Sequence, residues 1–179
     1  MRLLCFAALL LASTPTLAAS LDDQTAIALA KPQELIVDKS LSQAQVTELL
    51  KPVDAFYGFW NNVSQHLLDQ AISPQFNDHV RPFGRPQGPT GPMIANKAFR
   101  AAVPDLRFAV PQRIVVGDRV ISHLRMTGHF TGKYQGIEGK GQEVDFIAVD
   151  DLRVKNGRIT DNRHIEDNLT FLKQVGAVK

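Results

Sequence analysis

From Ser42 the apolar positions Val46, Leu49, Leu50, Val53, Phe56, Tyr57 and Trp60 recur at intervals of three and four residues, which predicts one buried helix face. Pro52 interrupts this run and predicts a kink, or two abutting helices with Pro52 in the first turn of the second. Ser64 is placed to cap a second short helix, SQHLLDQAIS, with Leu67, Leu68 and Ala71 on one face. The Pro- and Gly-dense run PQFNDHVRPFGRPQGPTGP is expected to be loop, followed by a third helix over 93–102. Beyond Asp105 the period becomes two. Leu106, Phe108 and Val110 alternate with polar residues, Ile114, Val115 and Val116 lead into a Gly117-Asp118 turn, and 119–131 reads as a long strand. One face of that strand carries Val120, Ser122, Leu124 and Met126. The other carries Ile121, His123, Arg125, Thr127 and His129, too polar for a plain core, so it faces either solvent or a polar cavity. The run GKYQGIEGKGQ lacks the spacing of a phosphate-binding loop and is expected to be a hairpin connection with glycine bends.

The final third predicts two strands, 144–154 and 158–166, joined around Asn156-Gly157, then a short helix capped by Asp167 or Asn168 and closed at Gly176. Its register decides which polar residues meet, because a slip of one residue turns every side chain to the other face. A two-residue turn pairs Asp150 with Arg163 and separates His164 from Asp150. A three-residue loop, Lys155-Asn156-Gly157, pairs Asp150 with Asn162 and brings His164 within reach on the same face. The sequence Lys-Asn-Gly-Arg fits a type I turn followed by a bulge, and the second register is the one expected.

Composition narrows the class. Of 179 residues, the first nineteen read as a secretory signal: Arg2, a short apolar run, then small residues with cleavage expected after Ala18 or Ala19. The single cysteine, Cys5, falls inside it, so the mature chain would have no disulfide, thiolate nucleophile or Cys-ligated zinc. This predicts a periplasmic or secreted protein with no membrane attachment after cleavage. Loss of Arg2 leaves a formal charge of +1, which gives no electrostatic footprint for nucleic acid. Residues 20–41 show no sustained period and are expected to be a loosely attached arm ahead of one domain, 42–179.

On the favoured register Asp150, Asn162 and His164 converge. A carboxylate beside an imidazole fixes its tautomer and favours its protonated form, which suits it to general base work near neutral pH; a satisfied structural pair is the competing account. The Pro/Gly loop carries Asp78, His79, Arg81 and Arg85, with His79 either at the mouth of a pocket or anchoring an irregular segment. The aromatic cluster Phe56, Tyr57, Phe59 and Trp60 favours core packing, with Tyr57 and Trp60 retained as candidate ligand contacts. No metal-binding spacing and no G-x-S-x-G elbow is present.

The stretches AFYGFWNN, PQFNDHVRP with GPTGP, AFRAAVPDLRF, VGDRVISHLRMTGHFTGKYQGIEGKG, and DLRVKNGRIT through LKQVGA together resemble the SnoaL-like polyketide cyclase or ester cyclase family of the NTF2-like superfamily. The resemblance implies an α+β cone, with N-terminal helices packed on a strongly bent antiparallel sheet and a short C-terminal helix. It also implies aldol-type ring closure in a cavity without metal or cofactor, using an aspartate on the last strand and a histidine on the one before. Aligned without gaps, His164 takes the aspartate's place and Asp150 the histidine's, an exchange that would make the base an imidazole of pKa about 6.5 instead of a carboxylate of about 3.9. The expected function is cofactor-independent acid/base chemistry beside a carbonyl, a cyclisation or isomerisation of a small apolar carbonyl-containing ligand. His164 would be the base, Asp150 its orienter and Asn162 a donor to the enolate, with His79, His123 and Arg125 on the pocket wall. The alternative is a non-catalytic periplasmic binding protein. A homo-oligomer, most simply a dimer, is expected.

Overall fold

The structure, a computed structural model, describes residues 21–82 and 84–179. The expected export signal lies outside the described residues. The helices are α1 (Asp23–Leu29), α2 (Gln43–Asn62), α3 (Gln65–Ala71), α4 (Gly91–Ala102) and α5 (Asn168–Gln174). The strands are β1 (Pro32–Val37), β2 (Ile72–Asp78), β3 (Arg107–Val116), β4 (Arg119–Phe130), β5 (Lys133–Tyr134), β6 (Ile137–Glu138), β7 (Gln142–Lys155) and β8 (Arg158–Glu166).

Six strands form one curved sheet in the order β1-β3-β4-β7-β8-β2, and β5 and β6 make a separate small hairpin. The four central strands are antiparallel, as expected, while β1 and β2 add parallel pairings at the two edges. The long strands β4 and β7 pair from Arg119↔Arg153 to Phe130↔Gln142 and form the spine of the sheet. Their alternation places Val120, Leu124, Met126, Phe146, Ala148 and Leu152 in the core. Helix α2 lies across that inner face and buries Val53, Phe56, Tyr57 and Phe59, each apolar side chain contributing roughly 1.5–3 kcal/mol.

Three expectations are corrected. The described part of the expected arm, residues 21–41, is not loose: Asp22 caps α1 through the Thr25 amide at 2.9 Å, Ala26 and Ala30 are fully buried, and β1 pairs along β3. A seven-residue helix and a half-exposed edge strand are too short and too mixed to show a period. Helix α2 is not divided at Pro52, which lies inside one continuous helix started by a Ser42–Gln45 capping box. Burial of its aromatic face outweighs the penalty of about 3 kcal/mol for an interior proline. The segment PQFND is strand, not loop; β2 is an edge strand whose pairing with β8 is irregular between Ile72 and Asn77, where Pro74 is tolerated.

The β7–β8 hairpin has neither register considered from sequence. Its turn is two residues, with Asn156 at φ 51° and Gly157 at φ 68°, the primed geometry that matches strand twist. Lys155 pairs with Arg158 and Val154 with Ile159, but Arg153 pairs with Asp161, so Thr160 is an extra residue in a bulge. From there Asp150 stands directly opposite His164. The convergence expected of a three-residue loop is produced by a tight turn plus a bulge.

Candidate active site

Asp150, Asn162, His164 and Glu166 all point from β7 and β8 into a cavity of about 960 Å³. Phe56 and Trp60 of α2, Phe76 of β2, Ile94 and Phe99 of α4, Phe108, Leu124 and Tyr134 supply an apolar wall, and Asp78 and Arg85 lie at its rim as an ion pair at 2.5 Å.

Asp150 is 2% exposed and its oxygens are fully engaged. The Asn162 Nδ2 donates to Oδ1 at 3.0 Å, His164 Nδ1 to the same oxygen at 2.8 Å, and the Tyr57 hydroxyl to Oδ2 at 3.0 Å. His164 reaches in the other direction through Nε2 to Glu166 Oε2 at 3.1 Å. The result is a row of carboxylate, imidazole and carboxylate along one wall. Burial works against charge on the ring, but the Asp150 anion and its hydrogen bond, followed by the hydrogen bond and charge of Glu166, outweigh it and raise the His164 pKa from 6.5 to about 10. In the charged form both N–H groups are committed to carboxylates and the ring has no lone pair with which to accept a proton, so this environment favours an imidazolium over the neutral imidazole base expected from sequence.

Behind Asp150 lies a second, fully buried layer. Arg113 is 0% exposed and donates through Nη1 to Asp54 at 2.6 Å, through Nε to Ser122 at 3.3 Å and through Nη2 to the Ala30 carbonyl at 3.3 Å. Lys31 also pairs with Asp54. The Arg113 guanidinium stands 5.4 Å from the Tyr57 ring centroid. Burial first, and then the Asp150 charge, raise the Tyr57 phenol well above its ordinary pKa, so it remains a neutral donor to Asp150.

The structure separates the remaining candidates. Trp60 lines the cavity, edge-on to Phe56 and 5.1 Å from Phe108. Tyr57 is buried behind Asp150 and holds that carboxylate instead of lining the cavity. Asn162 gives one of its two N–H groups to Asp150 and its Oδ1 is buried without a partner, which leaves a single N–H for the expected donation to an enolate. His123 and Arg125 lie on the solvent face of β4, where Arg125 pairs with Asp145, because outward and inward positions alternate along the strand. His79 is outside the cavity and anchors the chain after β2, through its ring to Asp161 at 2.8 Å and its amide to the Asn162 carbonyl at 2.9 Å.

Sequence reasoning missed Glu166, Arg113 and Tyr134. Glu166 was legible: two residues beyond His164 on a strand, it shares His164's face. Arg113 was not, because a register irregularity between Ala109 and Gln112 moves the inward positions of β3 from Phe108 and Val110 to Arg113 and Val115. Among the described residues no cluster of three or more His, Cys, Asp or Glu is arranged to hold a metal ion. No helix among them is long and apolar enough to cross a membrane.

No curated protein matches the chain. The SnoaL-like polyketide cyclase family matches residues 52–175. Among solved structures, a provisionally named polyketide cyclase from Bacillus cereus ATCC 10987 is 37% identical, with 84% of this chain and 95% of that one covered and a TM-score of 0.76. The provisionally named cyclase IdmH from Streptomyces antibioticus is 24% identical over 72% of this chain and 98% of its own, with a TM-score of 0.65. A SnoaL-like protein from Jannaschia sp. CCS1 is 20% identical over 74% of this chain and 94% of its own, with a TM-score of 0.64. The last two show a shared fold. With the family match spanning most of the chain, the protein belongs to the SnoaL-like polyketide cyclase family.

Proposed function

We propose that the protein performs cofactor-independent acid/base chemistry beside the carbonyl of a small, largely apolar ligand, a cyclisation or isomerisation. The observation that carries this reading is the Asp150–His164–Glu166 row on the wall of an apolar cavity. Glu166 is the base. One of its oxygens accepts from His164, and the other has no hydrogen bond from any described residue. The His164 imidazolium fixes that carboxylate in place, and Asp150, held by Tyr57 and Asn162, fixes His164 in turn. Proton removal leaves the C–H electron pair to form an enolate. The same carboxylic acid can return the proton to another carbon, or to the alkoxide formed after carbon–carbon closure.

The test is deuterium incorporation at the α-carbon of an apolar aryl ketone such as 2-acetylnaphthalene in heavy water, followed by NMR. The wild-type protein should accelerate exchange over buffer, and Glu166→Gln should lose that acceleration by at least about a hundredfold. A second reading, a non-catalytic binding protein, is favoured by the engagement of Asp150 with Asn162 and His164 and of both His164 nitrogens with carboxylates. Mass spectrometry of protein purified from its native compartment would support it by finding a retained, chemically unchanged ligand. The reading of residues 1–19 as an export signal places this chemistry in the periplasm or outside the cell.

A further inference from the structure

A carboxylate is a weak base toward a carbon acid, so proton removal requires a hydrogen-bond donor where negative charge develops on oxygen. Most donors of the polar row are committed: Tyr57 O–H, one N–H of Asn162 Nδ2 and His164 Nδ1 to Asp150, and His164 Nε2 to Glu166. The second N–H of Asn162 belongs to a residue only 6% exposed, so a more accessible donor on another element facing the cavity is better placed to meet a ligand.

The β5–β6 hairpin is that element, and its construction is specific. Gln135 and Gly136 form its turn with φ of 47° and 86°. Gly132 donates to the Ala102 carbonyl at 2.9 Å and Gly139 to the Gly132 carbonyl at 2.7 Å. A Cβ on Gly132 would lie 1.9 Å from the Ala101 carbonyl oxygen, and one on Gly139 would lie 2.3 Å from that of Phe130. These contacts fold the hairpin tightly over the end of α4 and β4. The side chain so delivered is Tyr134, whose ring stands edge-on to Phe171 at 5.1 Å, with Phe171 in turn 5.0 Å from Phe146. Phe171 belongs to α5, which begins two residues after Glu166. Tyr134 and Glu166 thus line the same cavity where β8 passes into α5. The Tyr134 oxygen accepts from Gln135 Nε2 at 3.3 Å, and no described residue accepts its proton. Burial first, and the Glu166 charge second, keep the phenol protonated. The Trp60 indole also faces the cavity, but from a wall built by Phe56, Phe59 and Phe108.

We infer that Tyr134 is a catalytic residue, the hydrogen-bond donor that receives the ligand's carbonyl oxygen opposite the Glu166 base. The inference rests on the reading of Glu166 given above. Tyr134 O–H binds the carbonyl oxygen; the α-proton passes to Glu166, its electron pair forms the carbon–carbon double bond, and the carbonyl π pair moves to oxygen. Tyr134 keeps its proton throughout. The ligand is therefore a ketone or ester whose carbonyl is its principal polar group, lodged in an otherwise apolar pocket.

The experiment uses 2-acetylnaphthalene labelled with carbon-13 at the carbonyl, the full-length protein and Tyr134→Phe, which keeps the ring on Phe171. On wild-type protein the carbonyl resonance should move downfield on binding, as hydrogen bonding requires. In Tyr134→Phe that displacement should be lost, affinity should fall about tenfold and α-deuterium exchange about a hundredfold. An undisplaced resonance, no binding of the ketone, or equal displacement in the two proteins overturns the assignment of Tyr134. A displaced resonance lost in Tyr134→Phe, with no exchange by wild-type protein, leaves Tyr134 as the carbonyl donor of a binding site and overturns its catalytic role together with the Glu166 reading. Exchange abolished by Glu166→Gln but unaltered by Tyr134→Phe overturns Tyr134 alone.

Discussion

If Asp150 and Glu166 hold His164 as an imidazolium, the protein loses stability as the solution is made alkaline. The folded-state pKa of about 10 lies above the model value of 6.5, so this contribution is present in full below about pH 6.5 and is lost as pH rises toward 10. The interval corresponds to roughly 5 kcal/mol of preference for the charged ring. The His164 side chain is 27% accessible through the cavity, and water there screens the pair, so an observable loss of about 2 kcal/mol is expected. Urea unfolding followed by Trp60 fluorescence, in steps from about pH 6 to about pH 10, should show this decline in the wild type and a shallower one in His164→Gln. His129 is also raised, by Asp105, but is present in both proteins and cancels in the comparison. The His164 Hε1 resonance in NMR provides the direct check. Equal slopes for the two proteins, or a ring that titrates near 6.5, would refute the imidazolium reading and restore His164 as a possible base.

Arg113→Met leaves Asp54 paired only with the exposed Lys31 and removes the cation beside Tyr57; a loss of about 3–5 kcal/mol is expected in urea unfolding. Deleting Thr160 removes the bulge but leaves His164 opposite Asp150, because the shortened strand pairs in the same register without the extra residue. Its ring should therefore keep its raised pKa by NMR, and a ring titrating near its ordinary value would count against Thr160 as the bulged residue. Gly132→Ala places a Cβ against the Ala101 carbonyl and must displace the β5–β6 hairpin; a melting-temperature loss equivalent to about 1–3 kcal/mol is expected. Protein recovered from the periplasm of a bacterial host should begin at Ala19 or Ser20 by intact mass, and a chain still carrying Met1 would count against the export reading.

The sequence by itself determined the elements and their order wherever a period ran long enough to be read. The apolar spacing of α2, the alternation of β4, the Asn-Gly turn and the Asp167 cap all reappear in the structure, because each depends on neighbours a few residues away. It also brought Asp150, Asn162 and His164 to one face, though through a turn that is not the one found. What only the tertiary structure decided depends on distant pairings. The bulge at Thr160 and the irregularity in β3 each change which side chains face inward, and neither has a local signature. The edge strands β1 and β2 exist because β3 and β8 offer them partners. The charge on His164 comes from two carboxylates and burial acting together, a sum that sequence spacing does not contain because burial and distance enter it only after the chain has folded.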